Sequence, residues 1–338
     1  MHFGGRDKRA YKQAGRRLIL AALAALLLTA WTGPGWALDK VSLQLHWVHQ
    51  AQFAGFYMAQ DAGLYEDAGL EVKIIPGGPG IDSLDNLKNG KCDFATAWLI
   101  GAMECKSEGA PLVLLSQLVQ RSAMLLVTSE DSDIDSIKDL NGRRVGLWGG
   151  HFNILPKALF KREGIDVIEV PQNFSMAPFL RDAVTAASAM YYNELHQLYQ
   201  AGVNADEIEV FEFAKLGLNF PEDGIYTMEL LWKKDPGVCL RFVEASLLGW
   251  RLSFEEPERA LKAVMKRVNE ANLASNKPHQ RWMLKAMQEL ISDRVGLQGL
   301  GEMSEEDFDL VNQVLIDQGF IQAPVKLENF YRPLGKQP

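Results

Sequence analysis

The chain is short of cysteine, of positive charge and of long apolar runs, and each shortage removes a class of protein. Its 338 residues hold three cysteines, Cys92, Cys105 and Cys239. An odd number closes at most one pair within the chain, so a disulfide scaffold is excluded, and the spacings fit no zinc site. Cys92 and Cys239 lie in apolar or element-boundary surroundings and read as buried, inert thiols. Lys and Arg number 35 against 43 Asp and Glu, a net charge of −8. Six of the basic residues and one acid fall within residues 1–37, so the rest of the chain carries −13. Phosphate binding needs a basic face, and this balance argues against a nucleic-acid partner. The run Leu18 to Ala30 has 13 apolar-rich residues, fewer than the roughly 20 that a membrane span requires. Also missing are GxGxxG and GxxxxGKS/T phosphate loops, a Gly-x-Ser-x-Gly elbow and any clustered metal-ligand motif.

What is present begins with a targeting pattern. Arg6, Lys8, Arg9, Lys12, Arg16 and Arg17 precede the apolar run. Gly33, Pro34 and Gly35 end it, and Gly35-Trp36-Ala37 puts small residues at the −3 and −1 positions. This reads as a secretory signal peptide over 1–37, cleaved after Ala37. No cysteine precedes Cys92, so a lipid-modified mature N-terminus is excluded and a Gram-negative periplasm is the expected location.

From Val41 onward strands and helices alternate. LQLHW, LEVKII, CDFATA, APLVLLSQLV and SAMLLVTS read as strands, separated by helices over GFYMAQDAG, IDSLDNLKNG and LIGAMECKSEG. A second block with its own glycine turns follows: RRVGLWGG, IDVIEV, SAMYY and EIEVFEF as strands, with helices near 153–164, 177–185 and 193–202. Alternation of this kind predicts βαβ units and, in each block, a mainly parallel sheet flanked by helices. IYTMELLW reads as one further strand, and beyond Pro236 the apolar spacing predicts helices at 237–255, 257–273, 278–291 and 304–318. The chain therefore divides into lobe 1, residues 38–126 with 223–338, and lobe 2, residues 127–222. Residues 323–338 read as a loose tail.

The candidate site residues gather at strand-to-helix junctions, where open α/β sheets place ligands. Trp47 ends the first strand, and its ring can stack on a flat heterocycle. Gln50 follows it, and Phe53 and Tyr57 share one helix face at i and i+4, whereas Phe56 points elsewhere and reads as core. His46 and His49 lie on the same strand end without a Cys or Asp cluster that would make a metal site. Trp98 ends the CDFATA strand. Gly149, Gly150 and His151 form a turn before a helix, which offers backbone N–H groups to a polar group or an anion. Tyr192, Asn193 and Glu194 stand at another strand end. Asn193 can cap the helix, and Glu194 can accept from an exocyclic amine and a protonated ring nitrogen, the donor pair of an aminopyrimidine. Arg121, at a strand end, is the alternative anion reader.

LHWVHQAQFAGFYMAQDAGLYEDAGLEVKIIPGG, then NGKCDFATAW, DLNGRRVGLWGG and YYNE resemble the periplasmic solute-binding proteins of the thiamine-pyrimidine-precursor type, along about residues 40–330. That group is similar to the yeast pyrimidine synthase and to the alkanesulfonate binders. The resemblance implies a type II two-lobe binding fold that closes on its ligand, an acidic residue at the position of Glu194, a membrane permease of an ABC transporter as partner, and a monomer without cofactor or catalysis. The synthase needs a lysine, a histidine and a cysteine-rich loop. Aligned through Asp93-Phe94, these positions fall on Ala97, Gly101 and the cysteine-free KLGLNFPEDGIY. A Schiff base needs an amine that Ala97 lacks. A riboflavin-type precursor, an alkanesulfonate or an aromatic acid stays open as the ligand.

Overall fold

The computed structural model describes residues 37–334 except 294. The expected signal peptide, Ala37 apart, lies outside the described residues. The fold described here is that of the unit that begins at Asp39.

Among the described residues this unit has ten strands: β1 Asp39–Gln44, β2 Leu70–Ile75, β3 Phe94–Trp98, β4 Leu112–Gln117, β5 Met124–Ser129, β6 Arg144–Leu147, β7 Ile168–Pro171, β8 Ala186–Met190, β9 Ile208–Glu212 and β10 Asp223–Met228. They form two five-stranded sheets, ordered β2-β1-β3-β10-β4 and β7-β6-β8-β5-β9. In the first, β1 runs parallel to β2 and β3, while β10 is antiparallel to β3 and β4. The second repeats this plan: β6 is parallel to β7 and β8, and β5 is antiparallel to β8 and β9. Each reversed strand arrives from the other block, because β5 follows β4 directly and β10 follows β9. The first crossing therefore comes before Met124, earlier than residue 127, since β5 pairs in the second sheet along its whole length.

Three local expectations are corrected. The strand expected over IYTMELLW stops at Met228, and Glu229–Lys234 is helical. Trp232 turns inward there while Leu230 stays exposed, a helical rather than an alternating pattern. The helix expected over 177–185 is a single turn, Ala177–Leu180, because Asp182 adopts φ +53°. The tail is packed as far as it is described. Val325 and Phe330 are buried, and the Asn312 amide exchanges two 2.9 Å hydrogen bonds with the Val325 backbone.

The four late helices are Pro236–Glu255, Pro257–Glu270, Lys277–Ser292 and Glu305–Asp317. The first packs on the helix Ala54–Asp61 and presses Phe242 flat against Phe94, with ring centroids 4.0 Å apart. Glycine permits this closeness. A Cβ at Gly249 would overlap the Gly55 carbonyl oxygen and lie 2.8 Å from the Ala59 nitrogen. Gly249→Ala is expected to cost about 3 kcal/mol, at the upper end for overpacking. Urea unfolding measures this, and an unchanged midpoint would contradict the packing described.

A candidate ligand cleft at the strand ends of both sheets

The cleft opens where the parallel strands of the two sheets end. An inner slot of about 40 Å3 is lined by His46, Trp47, Gln50, Gln52 and Trp98 from the first sheet's side. Trp148, Phe152, Phe174, Met190, Tyr192, Asn193 and Glu194 face it from the second. It continues into an outer chamber of about 320 Å3, bounded also by Gly78–Leu84, Ala97, Gly101 and His151, which is the lower range for small-molecule sites.

Local chemistry holds each wall. The Gln44 amide donates to the carbonyls of Leu45 and Pro76, each at 2.9 Å, and so shapes the loop after β1. Gly77 donates its N–H to the Trp47 carbonyl at 2.9 Å, and a Cβ there would overlap the Leu45 carbonyl oxygen. Trp47 is thereby held over the slot. Aromatic rings from the two sides meet edge to face. Trp47 and Phe174 have centroids 4.5 Å apart, and Trp98 and Phe152 4.6 Å apart. These are the favoured geometries for aromatic pairs.

The polar pole of the slot is acidic. Glu194, 1% exposed, accepts from the Met190 N–H at 3.0 Å and from Asn193 Nδ2 at 2.7 Å. Burial pushes its carboxyl up to about 7 against these N–H groups. Behind His46 and Gln52 stands a buried acid pair. Glu222 accepts from Ser122 Oγ at 3.1 Å and from the Ala123 N–H at 2.6 Å, and burial, then Asp223, raises it to about 8. Asp223 accepts from Gln52 Nε2 at 2.8 Å and is also raised, chiefly by burial. Gln52 Nε2 lies 3.2 Å from His46 Nε2, and His46 Nδ1 lies 2.8 Å from Thr96 Oγ1. His46 Nε2 also lies 3.4 Å from Asp223 Oδ1. Burial lowers the imidazole pKa and favours its neutral form, against the pull of Asp223.

The candidate residues part company. Trp47, Gln50, Trp98, Tyr192, Asn193 and Glu194 line the slot, and His151 lines the chamber. Phe53 and Tyr57 do share a face, but it is turned into the core, and neither lines the cleft. Tyr57 donates or accepts at His49 Nδ1, 2.8 Å away, under the Arg267 guanidinium. Gly149 and Gly150 are exposed and line neither cavity. Their turn points Trp148, His151 and Phe152 inward instead. Asn193 takes the N-cap position without a capping hydrogen bond, since its amide serves Glu194. Arg121 is engaged by Glu212 at 3.0 Å and Asp293 at 3.4 Å, away from the cavities. Gln52, Trp148, Phe152, Phe174 and Met190 complete the slot without having been singled out, and His46, considered in the sequence only as a metal ligand, joins them. Trp148 and Phe152 flank a recognisable glycine turn, but nothing in the sequence around Phe174 marks it.

Ala97 and Gly101 lie in the chamber wall. The space before Gly101 is taken by His151 from the other side, 3.3 Å from where a Cβ would stand. His151 Nδ1 pairs with Glu104 across the cleft, and this carboxylate raises the imidazole pKa. The three cysteines are unpaired, and burial lifts Cys92 to about 11 and Cys239 to about 12, so neither is a thiolate near neutrality. Among the described residues no three His, Cys, Asp or Glu side chains converge to hold a metal ion.

Two mixed sheets of this order, with a cleft between their strand ends, define the class: this is the fold of the periplasmic binding proteins. The periplasmic aliphatic sulphonate binding protein SsuA from Escherichia coli superposes with a TM-score of 0.67 at 18% identity, covering 89% of this chain and 95% of that one. The chain belongs to the NMT1/THI5 like family, which matches residues 50–260. It is 24% identical over 303 residues to the riboflavin-binding protein RibY of Chloroflexus aurantiacus, covering 87% of this chain and 85% of that one. It is 23% identical over 302 residues to the formylaminopyrimidine-binding protein of Halalkalibacterium halodurans, covering 87% and 90%. Proteins named 4-amino-5-hydroxymethyl-2-methylpyrimidine phosphate synthase also match, one from Legionella pneumophila at 25% over 227 residues, covering 66% and 72%.

Proposed function

We propose that the chain is the periplasmic solute-binding component of an ABC import system, exported with loss of residues 1–37, and that it captures a thiamine-related aminopyrimidine. The observation that carries the ligand is the charge of the cleft. Glu194, backed by Asp223, meets the solute, and among the described residues no Lys or Arg lines the slot or the chamber. A sulfonate needs donors and positive charge, whereas an aminopyrimidine offers an amine and a protonatable ring nitrogen to a carboxylate. The aromatic lining suits its flat ring. The segments that carry the two sheets, with the first crossing before Met124, act as two lobes that close on the solute, and a ligand preferring the closed form shifts the population by its differential affinity. Binding without chemical change is supported by Ala97, which supplies no amine where the synthase reading needs one.

The outer chamber favours one second reading, a larger heterocycle of the flavin type. A thermal-shift screen tests both. At 100 times its dissociation constant a ligand stabilises by about 2.7 kcal/mol, several degrees in this size range. Aminopyrimidines are expected to give that rise. A rise with riboflavin alone would move the assignment to the second reading, and a rise with alkanesulfonates alone would overturn both.

A further inference from the structure

The N-terminal turn of the helix Lys277–Ser292 touches both walls of the slot. Gln280 Oε1 accepts from the Ala51 N–H at 2.6 Å, beside Gln50 and Gln52 on the first wall. Its neighbour His279 brings Nε2 to 2.9 Å from Asn193 Oδ1 on the second. An amide oxygen only accepts, so His279 donates through Nε2 and keeps its lone pair on Nδ1. His196 Nδ1 donates to that lone pair at 2.9 Å. Asn193 Oδ1 accepts a further bond from Gln197 Nε2 at 3.1 Å. With its oxygen held twice, the amide must turn its nitrogen toward Glu194, to which it donates at 2.7 Å. The turn is itself fixed, because Asn276 accepts from the His279 N–H at 2.9 Å and from Gln200 Nε2 at 3.2 Å. The His196 ring stacks on both His279 and Trp282.

We infer that His279 is a positioning residue for the ligand-reading carboxylate: donating to Asn193 from a helix anchored on the opposite wall, it sets the amide so that Glu194 receives an N–H and is completed when the two walls come together. This deepens the assignment of Glu194 as the ligand acid and rests on it. A reversed amide would set its oxygen against the carboxylate. The charge of Glu194 is otherwise stabilised by backbone N–H groups, and its titratable surroundings are the Tyr192 phenol with Glu222 and Asp223 beyond it.

The test follows the Glu194 carboxyl by NMR titration of the ligand-free protein in wild type, His279→Phe and His279→Gln. Phe keeps a ring in the stack but removes the donor, and Gln restores an N–H. The midpoint is expected to rise by about one unit with Phe and to return close to wild type with Gln, as loss and recovery of one hydrogen bond to the charged form require. Equal midpoints in all three, or the same rise with Gln as with Phe, would overturn the inference. Calorimetry with a 4-aminopyrimidine supplies the second arm. His279→Phe is expected to weaken binding about tenfold in wild type and to have no effect in the Glu194→Gln background. An equal loss in both backgrounds overturns the coupling. Should Glu194→Gln alone leave affinity unchanged, the ligand assignment fails, and the titration still decides the role of His279.

Discussion

Glu194→Gln is expected to weaken aminopyrimidine binding by about 10- to 100-fold, the range for losing a charged partner in a buried hydrogen bond. Gln keeps the volume and can still accept from the Met190 N–H, so the slot is preserved and the change is chemical. The pH dependence separates this from a packing effect. In the free protein the carboxyl titrates at about 7 because burial opposes its charge. Below that pH Glu194 carries a proton that it can pass to the pyrimidine ring, and the ion pair forms without net uptake. Above it, a neutral ligand must bring a proton from solvent to form the same pair. Affinity is therefore expected to fall as pH rises beyond 7, by up to tenfold per unit for one coupled proton. The Glu194→Gln protein is expected to show a flat profile over the same range. Titration calorimetry from pH 5.5 to 9 reads both. Parallel profiles for the two proteins would remove Glu194 from the ligand contacts.

Glu222→Gln is expected to stabilise the protein in alkali and to leave it nearly unchanged in weak acid. Glu222 is 2% exposed, next to Asp223, and burial, then that neighbour, raises its carboxyl from the ordinary 4.5 to about 8. The fold thus prefers the protonated form. Its stabilising contribution is fully present below about 4.5 and is lost as pH climbs through 8. At about 1.4 kcal/mol per unit, the loss by pH 8.5 is on the order of a few kcal/mol, shared with Asp223. Gln mimics the neutral acid and still accepts from Ser122 Oγ and the Ala123 N–H, so it escapes the loss. The difference in Tm between variant and wild type should grow from near zero at pH 5 to about 5–10 °C at pH 8.5. His46, His49, His196 and His279, all shifted down by burial, act in the opposite sense, losing stability as pH falls below 6.5. They are common to both proteins and cancel in the difference. A constant offset across pH would mean that Glu222 is ionised in the fold throughout.

Period and punctuation in the chain were enough for the alternating strands, for the two blocks and for the family, because side-chain periodicity and turn chemistry are local properties. Strand ends were legible for the same reason, and with them Trp47, Trp98, Tyr192, Asn193 and Glu194. What local pattern cannot carry is direction. Phe53 and Tyr57 lie on one helical face whichever way it is turned, and only the packing of the late helices turned it into the core. Similar limits applied to the glycine turn, where Gly149 and Gly150 marked the place while Trp148, His151 and Phe152 took the inward positions. Phe174 reaches Trp47 from the other sheet, a meeting between residues more than a hundred positions apart. The exchange of β5 and β10 between sheets likewise depends on which strand edges remain free once the βαβ units have formed. Chemistry at the cleft was decided last, since the raised carboxyls of Glu194, Glu222 and Asp223 come from burial, and burial exists only once distant segments have closed over them.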